Sequence, residues 1–184
     1  MSADQQHSTP GTRPGQAQVP NPQAQIPNPR SRIPSAIALT CATVCGVGYA
    51  PIAPGTFGSA AGLLVWWLLP ASPAVQAAAI VAIFLIGSWS GTVAERHFGK
   101  TDPGQVVLDE VMGMLITLFL APVGWKGAIG AFFLFRVADV IKPYPANRLE
   151  RLPGGIGVMA DDGMAAVYAN LALHAALAIH RALG

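Results

Sequence analysis

The sequence predicts an all-α fold: an integral membrane helical bundle with re-entrant or short helices, preceded by a disordered N-terminal tail. Three observations lead there. Of 184 residues, 52% are hydrophobic and only 11% are charged, against roughly 25% charged in average soluble domains, so a water-facing surface would lack polar cover. The apolar stretches run as long blocks broken by Gly, Pro and clustered charges, with no alternating strand pattern. Residues 74–91 carry no charged side chain and approach the roughly 20 residues that cross a bilayer core. A net charge of +2 gives no footing for a nucleic-acid partner. Cys41 and Cys45, four apart, share a helix face as small core residues, since no further Cys or nearby His completes a metal set.

Residues 1–35 are rich in Pro and Gln and poor in apolar side chains, a composition that cannot bury enough surface to fold. The helical domain is expected over residues 36–184. Residues 36–50 are apolar but too short to span, and read as an interfacial or re-entrant helix. A turn over residues 51–59 leads into an apolar helix over 60–69, with Thr56 or Ser59 as its N-cap. The span at 74–91 is followed by a polar loop at 95–104. A helix over 106–120 then opens on Asp109 and Glu110. The next helix, 127–141, presents Arg136, Asp139 and Lys142 at three-residue spacing on one stripe, and Pro143 and Pro145 stop it. A Gly-rich connection over 142–158 precedes a last helix over 163–183, opened by Asp161 and Asp162.

If the tail is cytoplasmic and successive helices cross in alternation, Arg30, Arg32, Arg96, Lys100, Lys142, Arg148 and Arg151 fall inside. Lys126 and Arg181 fall outside. That asymmetry follows the positive-inside tendency. The same path brings residues 51–59, Asp109, Glu110, Asp139, Asp161 and Asp162 to the cytoplasmic face.

Those five acids are the majority of nine in the chain. An acid pair opening a helix is explained by the helix dipole, but Asp139 lies at a helix C-terminus, where the dipole disfavours it. Carboxylates clustered beside apolar surface need cations, and oxygen-only ligands favour Mg²⁺ or Mn²⁺ over zinc. Asp109, Glu110, Asp139, Asp161 and Asp162 are therefore the expected metal ligands and catalytic acids, with one of Asp109, Glu110, Asp161 or Asp162 serving as general base. Thr56, Ser59, Arg136 and Lys142 are the expected phosphate contacts. A phosphatase using water activated by Mg²⁺ fits this set. The alternative is a small membrane transporter or ion-binding protein built on the same acids.

Four segments in order carry a family resemblance: Ala53-Pro-Gly-Thr-Phe-Gly-Ser59, Val107-Leu-Asp-Glu-Val-Met-Gly113, Phe135-Arg-Val-Ala-Asp-Val-Ile-Lys-Pro-Tyr-Pro145 and Gly154-Gly-Ile-Gly-Val-Met-Ala-Asp-Asp162. From about Gly46 to Asn170 the chain resembles phosphatidylglycerophosphatase A. The resemblance implies a Mg²⁺-dependent hydrolase that converts phosphatidylglycerophosphate to phosphatidylglycerol and phosphate. It also implies a multi-pass protein of the bacterial plasma (inner) membrane with its active site on the cytoplasmic side. The family's acidic and basic positions fall on Asp109, Glu110, Arg136, Asp139, Lys142, Asp161 and Asp162.

Overall fold

A computed structural model describes residues 29–149 and 151–183. The expected tail lies almost wholly outside the described residues. Helices α1 (Pro29–Ala42), α2 (Pro54–Leu68), α3 (Pro73–Phe98), α4 (Leu108–Thr117), α5 (Trp125–Ile141), α6 (Ala146–Leu149) and α7 (Gly155–Leu183) account for the architecture. Among the described residues there is no strand.

Helix α4 is the hub. It packs against α2 and α7, while α7 also takes α3 and α5 on its flanks and α1 covers α3. The core between α4, α5 and α7 is closed by Met114, Leu118, Ala131, Phe135, Ala166 and Leu173. Glycine sets the closeness of the α2–α4 seam: a Cβ on Gly58 would stand 2.8 Å from the Val107 Cβ, and one on Gly62 2.8 Å from that of Met114. Small residues four apart let helix backbones approach where lipid supplies no hydrophobic drive for association.

Helices α3 and α7, with 26 and 29 residues, are long and apolar enough to cross a membrane. Their most apolar stretches are only 22% buried within the protein, unlike the core helix of a soluble fold. Large side chains such as Val81 and Leu85 on α3 and Leu171 on α7 point outward. By rise per residue, α2 and α5 reach about 22 and 25 Å, and α4 only about 15 Å.

Helix α1 spans Pro29–Ala42 in place of the expected 36–50, and α3 runs on to Phe98 past the expected 91; three further helix ends depart from the sequence reading, each for a visible reason. Helix α2 begins at Pro54, well before the expected 60, because Pro suits the first helical position and Ala53 reverses the chain with φ 48°. Thr56 and Ser59 therefore lie inside the helix rather than at its cap, and the Ser59 hydroxyl donates to the Gly55 carbonyl at 2.9 Å. Helix α7 begins at Gly155, so residues 155–158, read as part of the connection, are helix. On Gly155 a Cβ would stand 2.5 Å from the Ser88 carbonyl oxygen, and the Gly155 N–H donates to the Thr92 Oγ1 at 2.9 Å. The glycines mark a close crossing of α7 over α3, not a flexible connection.

Helix α4 stops at Thr117, too short for the crossing expected over 106–120. Its end is met from the side by α7. The Asn170 amide donates to the carbonyls of Thr117 at 3.0 Å and Phe119 at 2.9 Å, and the His174 Nε2 lies 3.3 Å from the same Phe119 oxygen. Carbonyls freed at that depth need such partners, since lipid offers none.

Candidate metal and phosphate site

The helices run antiparallel in alternation, so the starts of α2, α4 and α7 and the end of α5 meet at one end of the bundle. Asp109 and Glu110 stand in the first turn of α4. Asp162 faces them from α7, seven residues after that helix begins, where a helix-dipole explanation no longer applies. Oxygen atoms of Asp109, Glu110 and Asp162 lie within 4.8 Å of one another. Asp109 and Asp162 are each 5% exposed.

The two acid pairs are built alike. The Glu110 N–H donates to the Asp109 Oδ1 at 3.0 Å, and the Asp162 N–H donates to the Asp161 Oδ1 at 2.9 Å. These bonds orient the first acid of each pair and leave the second projecting onward. Burial, reinforced by the neighbouring Glu110 charge, pushes the Asp109 carboxyl well above the usual carboxylate range. Burial also pushes Glu110 up to about 7, against the opposing pull of its hydrogen bond with Asp109 and the more distant Arg136 charge. Packed this tightly, ionised acids are unfavourable without a cation. The Glu110 Oε2 is buried and has no hydrogen-bond partner among the described residues. That orphaned oxygen and the all-carboxylate donor set fit a hard divalent ion such as Mg²⁺.

Two cations flank the acids. The Arg136 Nη1 is 2.8 Å from the Asp139 Oδ2 and 3.9 Å from the Glu110 Oε1, and it donates to the Ser59 hydroxyl oxygen at 3.5 Å. The Lys142 Nζ pairs with the Asp161 Oδ2. Lys142 is the C-cap of α5 with φ 44°, a left-handed conformation that turns the chain toward α7. The stripe expected on α5 thus divides: Arg136 and Asp139 pair with each other, while Lys142 reaches across to Asp161.

The start of α2 closes the site. A Cβ on Gly55 would stand 2.2 Å from the Glu110 Oε1 and 3.2 Å from both terminal nitrogens of Arg136. Thr56 is exposed beside it. Ser59 is fully buried, so it meets the site through Arg136. Gly55→Ala is expected to displace Glu110 and Arg136 together and to lower turnover about 10²-fold, the scale of an ångström-sized misplacement. Thermal unfolding in detergent should change little, because the methyl group meets movable side chains and not the core.

Asp102 was missed by sequence reading. It sits in the loop between α3 and α4 with φ 47°, its backbone N–H donating to the Glu95 Oε1 at 3.2 Å, and its charge reaches Asp109. The only local signal is an Asp-Pro step seven residues before Asp109. Among the described residues, non-glycine left-handed backbone occurs at Val44, Cys45, Ala53, Asp102, Leu120 and Lys142, and Ala53 and Lys142 border the helix ends that carry the site.

Comparison with known proteins finds relatives of the chain. Residues 40–177 match the family described as phosphatidylglycerophosphatase A. The chain is 36% identical over 125 residues to phosphatidylglycerophosphatase A of Escherichia coli, covering 66% of this chain and 73% of that one. It is 36% identical over 134 residues to the Haemophilus influenzae protein of the same name, covering 71% and 82%. A Bacteroides thetaiotaomicron protein, named provisionally as a phosphatidylinositol-3-phosphatase, is 38% identical over 133 residues, covering 67% and 82%. No solved structure matches the chain significantly.

Proposed function

Because the chain belongs to the phosphatidylglycerophosphatase A family, we propose that its acidic end hydrolyses the terminal phosphate of phosphatidylglycerophosphate with the help of Mg²⁺. The observation that carries this reading is the convergence of Asp109, Glu110 and Asp162 within 4.8 Å, beside an arginine held by Asp139. A lone acid cluster would suit ion binding; an acid cluster with an adjacent cation suits a phosphate whose oxygens share the ion.

Asp109, Glu110 and Asp162 would hold Mg²⁺. The ion supplies Lewis acidity toward phosphoryl oxygens and a more acidic water. Arg136 neutralises phosphate charge in a fixed orientation, kept there by Asp139 and Ser59. Lys142, held by Asp161, is the second cation for the phosphate or the leaving oxygen. Thr56, exposed in the first turn of α2, would add a hydroxyl to the phosphate contacts. A carboxylate of the cluster takes the proton released by the attacking water. The phosphorus–oxygen bond to the glycerol breaks and the leaving oxygen takes up that proton, giving phosphatidylglycerol and inorganic phosphate.

With α3 and α7 crossing the bilayer, the end of the bundle that carries the acids would stand near the lipid headgroups. The Lys and Arg distribution supports the cytoplasmic side of a bacterial inner membrane for that end. The test of substrate is phosphate release by the detergent-solubilised protein from phosphatidylglycerophosphate and phosphatidylinositol 3-phosphate, side by side. Preference for the first supports the reading. Preference for the second would keep the chemistry and replace the lipid.

A further inference from the structure

The acids used in the chemistry above sit on α4, α5 and α7, yet another acid stands at the same end of the bundle. Asp102 lies in the connection between α3 and α4, a segment fastened along most of its length. The Glu95 carbonyl accepts from the Lys100 N–H at 3.3 Å, and the Glu95 Oε1 accepts from the Asp102 N–H at 3.2 Å. Pro103 is fully buried, and its carbonyl accepts from the Val106 N–H at 2.8 Å. The Val107 N–H then donates to the Ala42 carbonyl at 2.9 Å. A Cβ on Gly48 would collide with the Gln105 carbonyl oxygen, so the turn before α2 presses on the same connection. Connecting segments ordinarily run loosely over a surface; this one is fixed, and Asp102 with it.

The residue is half-buried, with left-handed backbone at φ 47°. Its charge acts on Asp109 of α4 and on Asp161 of α7, so it stands among the acids near the starts of those two helices. Carboxylates gathered in this way repel unless a cation stands among them. Of the two site cations, Arg136 serves Asp139, Glu110 and Ser59. Lys142 is the cation at Asp161.

We propose that Asp102 is a positioning residue for Lys142, sharing its Nζ with Asp161. The inference rests on the lipid-phosphatase reading above. An ammonium has three N–H donors on a flexible stem. Two carboxylates, one from the α3–α4 connection and one from α7, fix its direction and aim the third donor at a phosphate oxygen. A second anchor thus keeps the charge where the reaction needs it.

The test is a double-variant cycle on phosphate release from phosphatidylglycerophosphate by the detergent-purified full chain, with thermal unfolding followed alongside. Asp102→Asn keeps the side-chain shape and suits a left-handed backbone, so the unfolding temperature should stay within about 3 °C of wild type. The variant is expected to lower kcat/KM about tenfold, while the Mg²⁺ concentration for half-maximal rate moves less than about twofold. In a Lys142→Met background, read at raised enzyme concentration, the same change should cost less than about twofold, because the group it positions is gone. Undiminished turnover by Asp102→Asn overturns the proposal. An equal tenfold loss in the Lys142→Met background does so too, since Asp102 would then act independently of the lysine. A Mg²⁺ requirement raised about tenfold would make Asp102 an ion ligand, and a larger fall in unfolding temperature would make it a residue of the fold; each overturns the proposal. Wild-type protein that releases no phosphate from this lipid would instead overturn the phosphatase reading, and the proposal with it.

Discussion

Asp162→Asn is expected to lower phosphate release by at least about 10³-fold, the scale set by losing a preorganised charge at the reacting group. The same substitution should leave the metal-free protein no less stable than wild type. Asp162 shares a crowded space with Asp109 and Glu110, and an amide of the same shape removes one negative charge from it. A residue that harms stability by its presence and activity by its absence is kept for function. Thermal unfolding in detergent checks the second half. Mg²⁺ at 100 times its Kd would stabilise the wild-type protein by about 2.7 kcal/mol, and Asp162→Asn should lose most of that gain.

The second large effect is at Arg136. Its guanidinium serves Asp139 at 2.8 Å, Glu110 at 3.9 Å and Ser59 at 3.5 Å, with only 22% of the side chain exposed. Arg136→Met leaves Asp139 without its partner, so it should cost roughly 3 kcal/mol of stability and about 10²–10³ in turnover. The double variant Arg136→Met with Asp139→Leu separates the two losses. It removes both charges, so stability should return toward wild type while activity stays low. Recovery of activity in the double variant would mean that Arg136 serves the fold alone. Arg136→Lys keeps the charge without the planar fork and should fall between.

The chemistry of this chain is easier to read in its sequence than the shape. The five acids and two cations of the site stand out because charge is scarce, and Asp139 stands out further because it opposes the dipole of α5. Their convergence follows from alternating helix direction alone. What sequence cannot resolve is contact between distant segments. Gly154 and Gly155 look like a loop until α3 is placed against them, when the missing side chains prove to be the condition for a close crossing. Thr56 and Ser59 look like caps, but Pro54 and the reversed backbone at Ala53 start the helix earlier.

The division of labour among the acids is likewise non-local. Asp161 and Asp162 are neighbours in sequence, yet one pairs with Lys142 on α5 and the other faces α4. Asp102 carries no pattern of its own; only the strained turn that holds it near Asp109 marks it. Asn170 and His174 sit in a helix that reads as apolar throughout, and their purpose depends on where α4 stops.

The most direct measurement is phosphate release from phosphatidylglycerophosphate by the detergent-purified full chain, first with Mg²⁺, then with EDTA, then with Mg²⁺ restored. The site geometry predicts release that is abolished by EDTA and recovered with the ion. Equal release in EDTA would contradict a divalent-ion role for Asp109, Glu110 and Asp162.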